Sequence, residues 1–199
     1  LGNIADRART IGGTLQLTPL PGERFSKSSW RQVDFLRPDL RLPYADKEFD
    51  FCLCPHTIED LVNPGPLLEE IQLVSRAGLF ECPSRLSEQT VGVRDRIGSL
   101  QGHPHHHWIV DTAGAMLELA PKPSSLAGPR RLHAIPLAHY ERMMRHDSSA
   151  AFVTFVWRET FAWRTLSPVE AETRARAFAA QVNISWPDHI RDAMVRRLR

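Results

Sequence analysis

Four of the histidines in this sequence are clustered in one short segment. His103, His105, His106 and His107 fall within five consecutive positions, directly before Trp108. Such a run can bind a metal ion, line a substrate pocket or hydrogen-bond within a loop, and these three interpretations stay open. Adjacent side chains on a strand point to opposite faces, so at most two of the last three histidines can converge. Metal binding is therefore the least favoured of the three and we assign no metal ligands here; His107 is the candidate proton shuttle because imidazole titrates near neutral pH.

Two further groups of reactive residues are interpreted structurally. Cys52, Cys54 and Cys82 have strand-like surroundings, which favours buried core thiols over metal ligands or nucleophiles. Glu59 and Asp60 are adjacent in sequence, and adjacent residues on a helix do not face each other. We predict that these two carboxylates are surface groups or helix N-terminal charges and not an acid/base pair.

Composition limits the classes of protein that remain. The chain has 199 residues, of which 42% are hydrophobic and 24% charged, and its net charge is +2. These values are typical of one soluble domain and give no strong attraction to nucleic acid. No apolar run reaches about 18 residues, no secretory signal is visible, and three cysteines without disulfide-like spacing indicate a reducing compartment. We expect a cytoplasmic protein with neither a membrane nor a nucleic-acid partner.

The elements that must position these side chains are clearest between residues 49 and 83. A short apolar run over 49–54 predicts a buried strand, and Asn63 and Pro64 predict the start of an amphipathic helix. Gly78 is expected to end that helix, and residues 79–83 to form the next strand. A strand, a helix and a strand in this order form a βαβ unit, which predicts a parallel sheet.

Downstream of this unit the pattern is mixed. Residues 108–119 predict a hairpin, and residues 136–146 a helix. Residues 152–157 alternate as a strand, with residues 161–163 as its expected partner. Ser167 followed by proline predicts the cap of a helix that runs to about Val182.

Residues 39–83 also resemble a known family. They contain D-L-R-L-P-Y, then E-F-D-F-C-L-C-P-H-T-I-E-D-L, an N-P helix start and a glycine turn into a strand that ends in proline. This order of motifs is similar to the central stretch of class I S-adenosylmethionine-dependent methyltransferases of the "methyltransferase type 11" group. The resemblance implies an α/β fold with a Rossmann-like, mostly parallel sheet and a C-terminal α+β extension. It also implies a single domain over 1–199, with a partial cofactor-binding core in 1–83 and an acceptor-side extension in 84–199.

The resemblance assigns roles to individual residues. Asp39 would accept a hydrogen bond from the adenine amino group, and the backbone N–H of Leu40 would lie at the ring edge. Pro55 and His56 would lie under the sulfonium of S-adenosylmethionine and face the acceptor, with His56 as the candidate base. Asp6 would hold the ribose hydroxyls.

The sequence also departs from the family pattern. The opening D-x-G-x-G-x-G loop is absent from the sequence given, and Gly12 and Gly13 come after Asp6. The resemblance therefore predicts an N-terminally truncated methyltransferase that acts on a small-molecule or glycan acceptor. The alternatives are a catalytically inactive methyltransferase-like binding or regulatory module, and a metal-dependent hydrolase that uses the histidines. A homodimer through the hairpin and the terminal helices is a further expectation.

Overall fold

The computed structural model describes residues 31–94, 100–127 and 133–182. The chain divides into two compact units, Leu1–Asp34 and Phe35–Arg199. All the elements below belong to the second unit.

The predicted βαβ unit is present. Strand β1 (Cys52–Pro55) is followed by helix α1 (Gly65–Val74) and strand β2 (Ala77–Pro83), and the two strands pair in parallel. Helix α1 buries one apolar face, as its spacing of leucine and isoleucine requires. The predicted helix ends are wrong in detail, because Pro64 is the N-cap and Gly78 lies inside β2.

The close approach of neighbouring strands explains the glycine in β2. A Cβ atom at Gly78 would lie 2.8 Å from the carbonyl oxygen of Cys52 and 2.8 Å from the Trp157 ring. Any larger residue would push these neighbours apart, so the position is set by packing between strands and not by a helix cap.

Strand β5 (Phe152–Arg158) completes the first sheet, whose order is β1–β2–β5. It pairs antiparallel with β2, and Leu79 lies opposite Val156. Its exposed and buried residues alternate, as expected for a strand with one face toward solvent.

The second sheet consists of β3 (Trp108–Ala113), β4 (Met116–Pro121) and β6 (Ala162–Thr165). The predicted hairpin is confirmed, because β3 and β4 pair antiparallel around a tight turn with Gly114 at φ +61°. The expected pairing of residues 161–163 with β5 is wrong, since β6 pairs in parallel with β4.

The predicted Rossmann-like, mostly parallel sheet is therefore wrong. The described residues form two small sheets, and each contains one parallel and one antiparallel pair. The βαβ crossover is correctly predicted, but parallel pairing does not extend from it to β5 or to the β3–β4 hairpin. A two-residue turn between β3 and β4 permits only antiparallel pairing, and β5 enters beside β2 from the opposite direction.

Helices pack around both sheets. They are α2 (Arg85–Gln89), α3 (Ser124–Ala127), α4 (Leu137–His146) and α5 (Pro168–Gln181). The predicted helices near 136–146 and after Ser167 are confirmed, and Ser167 forms a capping box with Glu170. A buried cluster joins α3 and α5 to the second sheet: Ile109, Ala120, Leu126, Leu166 and Ala171.

None of the helices in the described ranges combines the length and the apolar character that crossing a bilayer requires. The longest of them, α5, has 14 residues, which is shorter than the roughly 20 residues that a bilayer core demands.

Candidate functional site

Asp39 and Leu40 border a surface cavity of about 370 Å³ beside the first turns of α1, which contribute Pro66 and Glu69. The Asp39 carboxylate is exposed and accepts two hydrogen bonds from the Arg37 guanidinium, at 2.8 and 3.0 Å. These bonds and the charge of Arg37 lower the pKa of Asp39. Asp39 is therefore an anion, with acceptor capacity left for a further donor. Asp6 lies outside the described residues.

His56 is the first residue after β1, and its backbone is in the left-handed region at φ 47°. Its N–H donates to the carbonyl oxygen of Glu81 at 2.7 Å, which fixes the turn. The imidazole is 48% exposed, with Nδ1 3.6 Å from a Glu59 oxygen and Nε2 3.8 Å from a Glu81 oxygen. The Phe152 ring contacts it edge-on at 5.6 Å. A left-handed, non-glycine residue of this kind often marks a functional site.

Glu59 is the residue that the sequence analysis misread. Only 1% of its surface is exposed, and neither carboxylate oxygen has a hydrogen-bond partner among the described residues. The His56 ring is 3.6 Å away at the protein surface. A buried carboxylate without a hydrogen-bond donor is energetically costly. The i,i+3 spacing of His56 and Glu59 was the available sequence signal.

Of the predicted site residues, Asp39 lines the cavity beside the start of α1, and His56 directly follows β1. His56 is not one of the residues that line this cavity. A crossover helix runs antiparallel to the strands it connects, so the start of α1 lies where β1 ends. Pro66, at the start of α1, lines the Asp39 cavity, and Pro55 and His56 follow at the end of β1. Pro55 is exposed there.

The histidine run divides into members with different surroundings. His107 is exposed, and its contacts are made by the backbone: its N–H donates to the Glu59 carbonyl at 2.8 Å, and its carbonyl accepts from the Lys122 N–H at 2.8 Å. His107 thus ties the loop to the turn that carries Glu59. The other three rings pack together, with His103 and His106 stacked at 4.6 Å and His105 edge-on to His106 at 4.4 Å.

Glu88, on α2, lies beneath this histidine cluster. One of its oxygens contacts Nδ1 of His106 at 2.7 Å and Nδ1 of His103 at 3.0 Å, and the other accepts from Lys122 Nζ at 2.6 Å. Burial alone would raise the pKa of Glu88, but the two histidine hydrogen bonds and the charge of Lys122 outweigh it and hold the pKa well below its usual range. No spacing in the sequence indicated Glu88, because it is 15 and 18 residues from its histidine partners.

Asp60 lies on the opposite side of the cluster. Its Oδ1 atom is 3.5 Å from Nε2 of His106 and 3.7 Å from Nε2 of His105. Within the described part of the chain, two sets of side chains could therefore hold a metal ion: Asp60 with His105 and His106, or Glu88 with His103 and His106.

Cysteine chemistry is disfavoured here, as the sequence predicted. Cys54 and Cys82 are buried free thiols, and Cys52 is half-buried. Burial raises the pKa of Cys54 to about 12 and raises that of Cys82 well above its usual value, with Glu59 adding repulsion in both cases. A thiol is reactive as its thiolate, so these two side chains are poor nucleophiles near neutral pH.

A larger cavity of about 550 Å³ lies elsewhere on the first sheet. It is lined by residues at the start of β1 and β2 and the end of β5, including Asp50, Arg76 and Trp157. His56 follows the opposite end of β1, so the size of this cavity does not make it the site of the chemistry described above.

Comparison of this chain with protein-family models, with curated proteins and with solved structures finds no significant match in any of the three. The functional inference therefore rests on the chemistry of the described side chains.

Proposed function

We propose that the chain takes part in S-adenosylmethionine-dependent methyl transfer to a small-molecule or glycan acceptor, with His56 as the base. The observation that carries the proposal is the environment of His56: a half-exposed imidazole, held in a strained backbone conformation, with a carboxylate near each ring nitrogen. Such an arrangement can accept a proton and stabilise the resulting cation.

The proton transfer can be described from the side chains of this chain alone. With its Nδ1–H directed at Glu59, the neutral ring of His56 keeps a lone pair on Nε2 for a proton from an acceptor hydroxyl or amine. Glu59 and Glu81 then stabilise the imidazolium, as the acidic member of a catalytic triad does for its histidine. S-adenosylmethionine, when bound, supplies an electrophilic methyl group, and its sulfur keeps the electron pair of the broken C–S bond.

The residues around Asp39 fit one end of that cofactor. An adenine presents an amino donor and ring acceptors, and the cavity offers an anionic carboxylate at Asp39 beside the backbone of Leu40. A bound amino group would share the Asp39 carboxylate with Arg37. The anionic Asp39 carboxylate in this cavity is the observation that supports adenine binding here.

Calorimetry tests cofactor binding directly. We expect S-adenosylhomocysteine to bind the full chain, and Asp39→Asn to weaken binding about tenfold, since a hydrogen bond to a charged group contributes about 1.5–3 kcal/mol. Asp46→Asn is the matched control, because Asp46 is an exposed carboxylate in the same segment. Absence of binding at millimolar ligand would overturn the proposal.

Activity tests the base. Acceptor sugars, alcohols and amines are screened for formation of S-adenosylhomocysteine from S-adenosylmethionine. With an acceptor that the chain methylates, His56→Gln is expected to lower kcat about 100-fold, a typical loss for removal of a general base. The affinity for the cofactor should not change. His146→Gln, an exposed histidine at the end of α4, is the control. Full activity in His56→Gln would exclude His56 as the base.

A non-catalytic binding or regulatory module is the second candidate. It is favoured by an apolar row on one face of the first sheet, where Leu53 is 69% and Val156 63% exposed. Exposed apolar rows of this kind are typical of binding surfaces. The calorimetric experiment separates the two candidates, because this module requires no affinity for S-adenosylhomocysteine.

A further inference from the structure

We propose that Asp60, His105 and His106 form a binding site for a divalent transition-metal ion of the zinc class, with an open fourth position toward solvent. From the sequence no metal ligands were expected here, because adjacent histidines on a strand diverge. The structure places His105 and His106 in an irregular loop, where their rings contact each other edge-on and their Nε2 atoms both face one oxygen of Asp60.

The hydrogen bond on the far side of His106 determines which of its nitrogens is available. Glu88 accepts from Nδ1 of His106 at 2.7 Å, and an ionised carboxylate can only accept. Nδ1 therefore carries the proton, and in the neutral ring Nε2 carries a lone pair. That lone pair faces Oδ1 of Asp60, which is also an acceptor. Two acceptors that face each other at 3.5 Å repel unless a metal ion or a proton lies between them.

The distances distinguish a metal ligand from a hydrogen-bond partner. N–H···O hydrogen bonds are about 2.7–3.2 Å long, and the contacts of Glu88 with His103 and His106 fall in this range, at 3.0 and 2.7 Å. The ligands of a tetrahedral zinc ion are about 3.4 Å apart, given metal–ligand bonds of about 2.0–2.1 Å. The separations of 3.5 and 3.7 Å between Asp60 and the two Nε2 atoms are close to this spacing.

Asp60 provides an independent observation. Its Oδ1 atom is buried and has no hydrogen-bond partner among the described residues, although the side chain as a whole is 38% exposed. A buried carboxylate oxygen without a donor is unfavourable unless an ion satisfies it. The rest of the Asp60 side chain and the ring of His105 are partly exposed to solvent.

Glu88 and Lys122 support the site without binding the metal. Metal-binding histidines usually donate their other ring N–H to a carboxylate, which fixes the orientation of the ring. Glu88 has this role for His106 and is itself held by Lys122 at 2.6 Å. The ammonium of Lys122 would repel a cation next to Glu88, so the Asp60 side of the cluster is favoured for the ion.

Arg94 would compete with a metal ion for the ring of His105. Nη1 of Arg94 lies 2.9 Å from Nδ1 of His105 and donates to it, which places the ring proton on Nε2. Metal binding through Nε2 requires the other tautomer, and therefore requires Arg94 to turn away into solvent. Arg94 and His105 are both exposed, so this movement meets little steric resistance.

Zinc titration of the tag-free chain by calorimetry tests the proposal. We expect one ion per chain with a Kd in the micromolar range or below, and a loss of at least tenfold in affinity for both Asp60→Asn and His105→Gln. Both substitutions are at partly exposed positions, so the fold should survive, and circular dichroism checks this. His107→Gln is the matched control, an exposed neighbour whose contacts are made by its backbone, and its affinity should not change.

Two further measurements test whether a metal ion or a proton lies between His106 and Asp60. Cobalt(II) should give the visible absorption of a four-coordinate ion in the unsubstituted chain and lose it in Asp60→Asn. Arg94→Gln should tighten zinc binding three- to tenfold, because it removes the competing donor and a positive charge. Absence of stoichiometric zinc binding would overturn the proposal. Equal binding by Asp60→Asn and the unsubstituted chain would also overturn it, and would favour Glu88, His103 and His106 as the ligands instead.

Discussion

The two three-stranded sheets differ in how much of their surface is covered. In the first sheet, Leu53, Leu79 and Val156 form a row across the strands, and the two outer members are 69% and 63% exposed. In the second sheet, Leu117 and Leu119 on β4 are completely buried, and so are the residues between and after them. The first sheet thus has an open apolar row, whereas the central strand of the second sheet, β4, is covered on both faces.

The difference between the sheets shows that the apolar content of a strand does not determine whether one or both of its faces are buried. Strand β1 follows Phe49 and Phe51 in a nearly continuous apolar run, which is typical of a strand covered on both faces. Yet Phe51 and Leu53 are exposed. Strand β4 contains a charged residue, Glu118, and is nevertheless buried along its length. Burial follows from the elements that pack on each sheet, which a strand's own sequence does not specify.

The largest expected effect is in the second sheet. Leu119→Ala removes a fully buried side chain of β4, and a substitution of this kind lowers the free energy of unfolding by about 2–5 kcal/mol. Urea unfolding followed by circular dichroism measures the change. A loss below about 1 kcal/mol would show that this sheet is not tightly packed and would remove the contrast with the first sheet.

The sequence predicted local elements better than their assembly. The helix start at Ser167 and the hairpin around Gly114 depend on residues a few positions apart, and both predictions are confirmed. The partner of β6 depends on a contact between Leu117 and Trp163, which are far apart in the chain, and no local pattern specifies it. The predicted parallel sheet failed for this reason.

The same limit applies to the candidate site. The i,i+3 spacing of His56 and Glu59 was visible, but the burial of Glu59 was not, because it depends on surrounding elements. The histidine run was visible as a composition bias, whereas its pairing with Glu88 and Lys122 depends on the packing of α2 against the loop before β3. Chemistry-bearing residue types can thus be read from the sequence, and their partners cannot.

An intermediate effect, and one that depends on pH, is expected at Glu118. This buried carboxylate accepts hydrogen bonds from Arg174 and Arg164, which lower its pKa below the usual 4.5. A carboxyl group whose pKa is lower in the folded protein stabilises the folded state at pH values above its pKa in the unfolded chain. This stabilisation is lost as the pH falls through the pKa of the group in the folded protein. Glu118→Gln should therefore cost about 1.5 kcal/mol at pH 7, at the lower end for charged hydrogen bonds because both arginines are partly solvated.

The measurement for Glu118 is urea unfolding of the unsubstituted chain and of Glu118→Gln at pH 7 and at several pH values below 4.5. The difference in the free energy of unfolding between the two proteins should narrow as pH falls, since protonation removes the charge that the substitution also removes. Glu170→Gln would be a poor control, because Glu170 belongs to the capping box of α5. Glu69→Gln, an exposed residue on α1, is suitable. A difference that stays constant with pH would exclude the arginine contacts as its cause.

The smallest effect is expected for Leu53→Ala, the matched partner of Leu119→Ala. Leu53 is 69% exposed on the open face of the first sheet, so truncation removes little buried surface and should change the free energy of unfolding by no more than about 0.5 kcal/mol. The same urea experiment measures both variants. A loss above about 1 kcal/mol would mean that the row of Leu53 and Val156 is covered in solution. An unchanged stability would leave this face free to bind a partner.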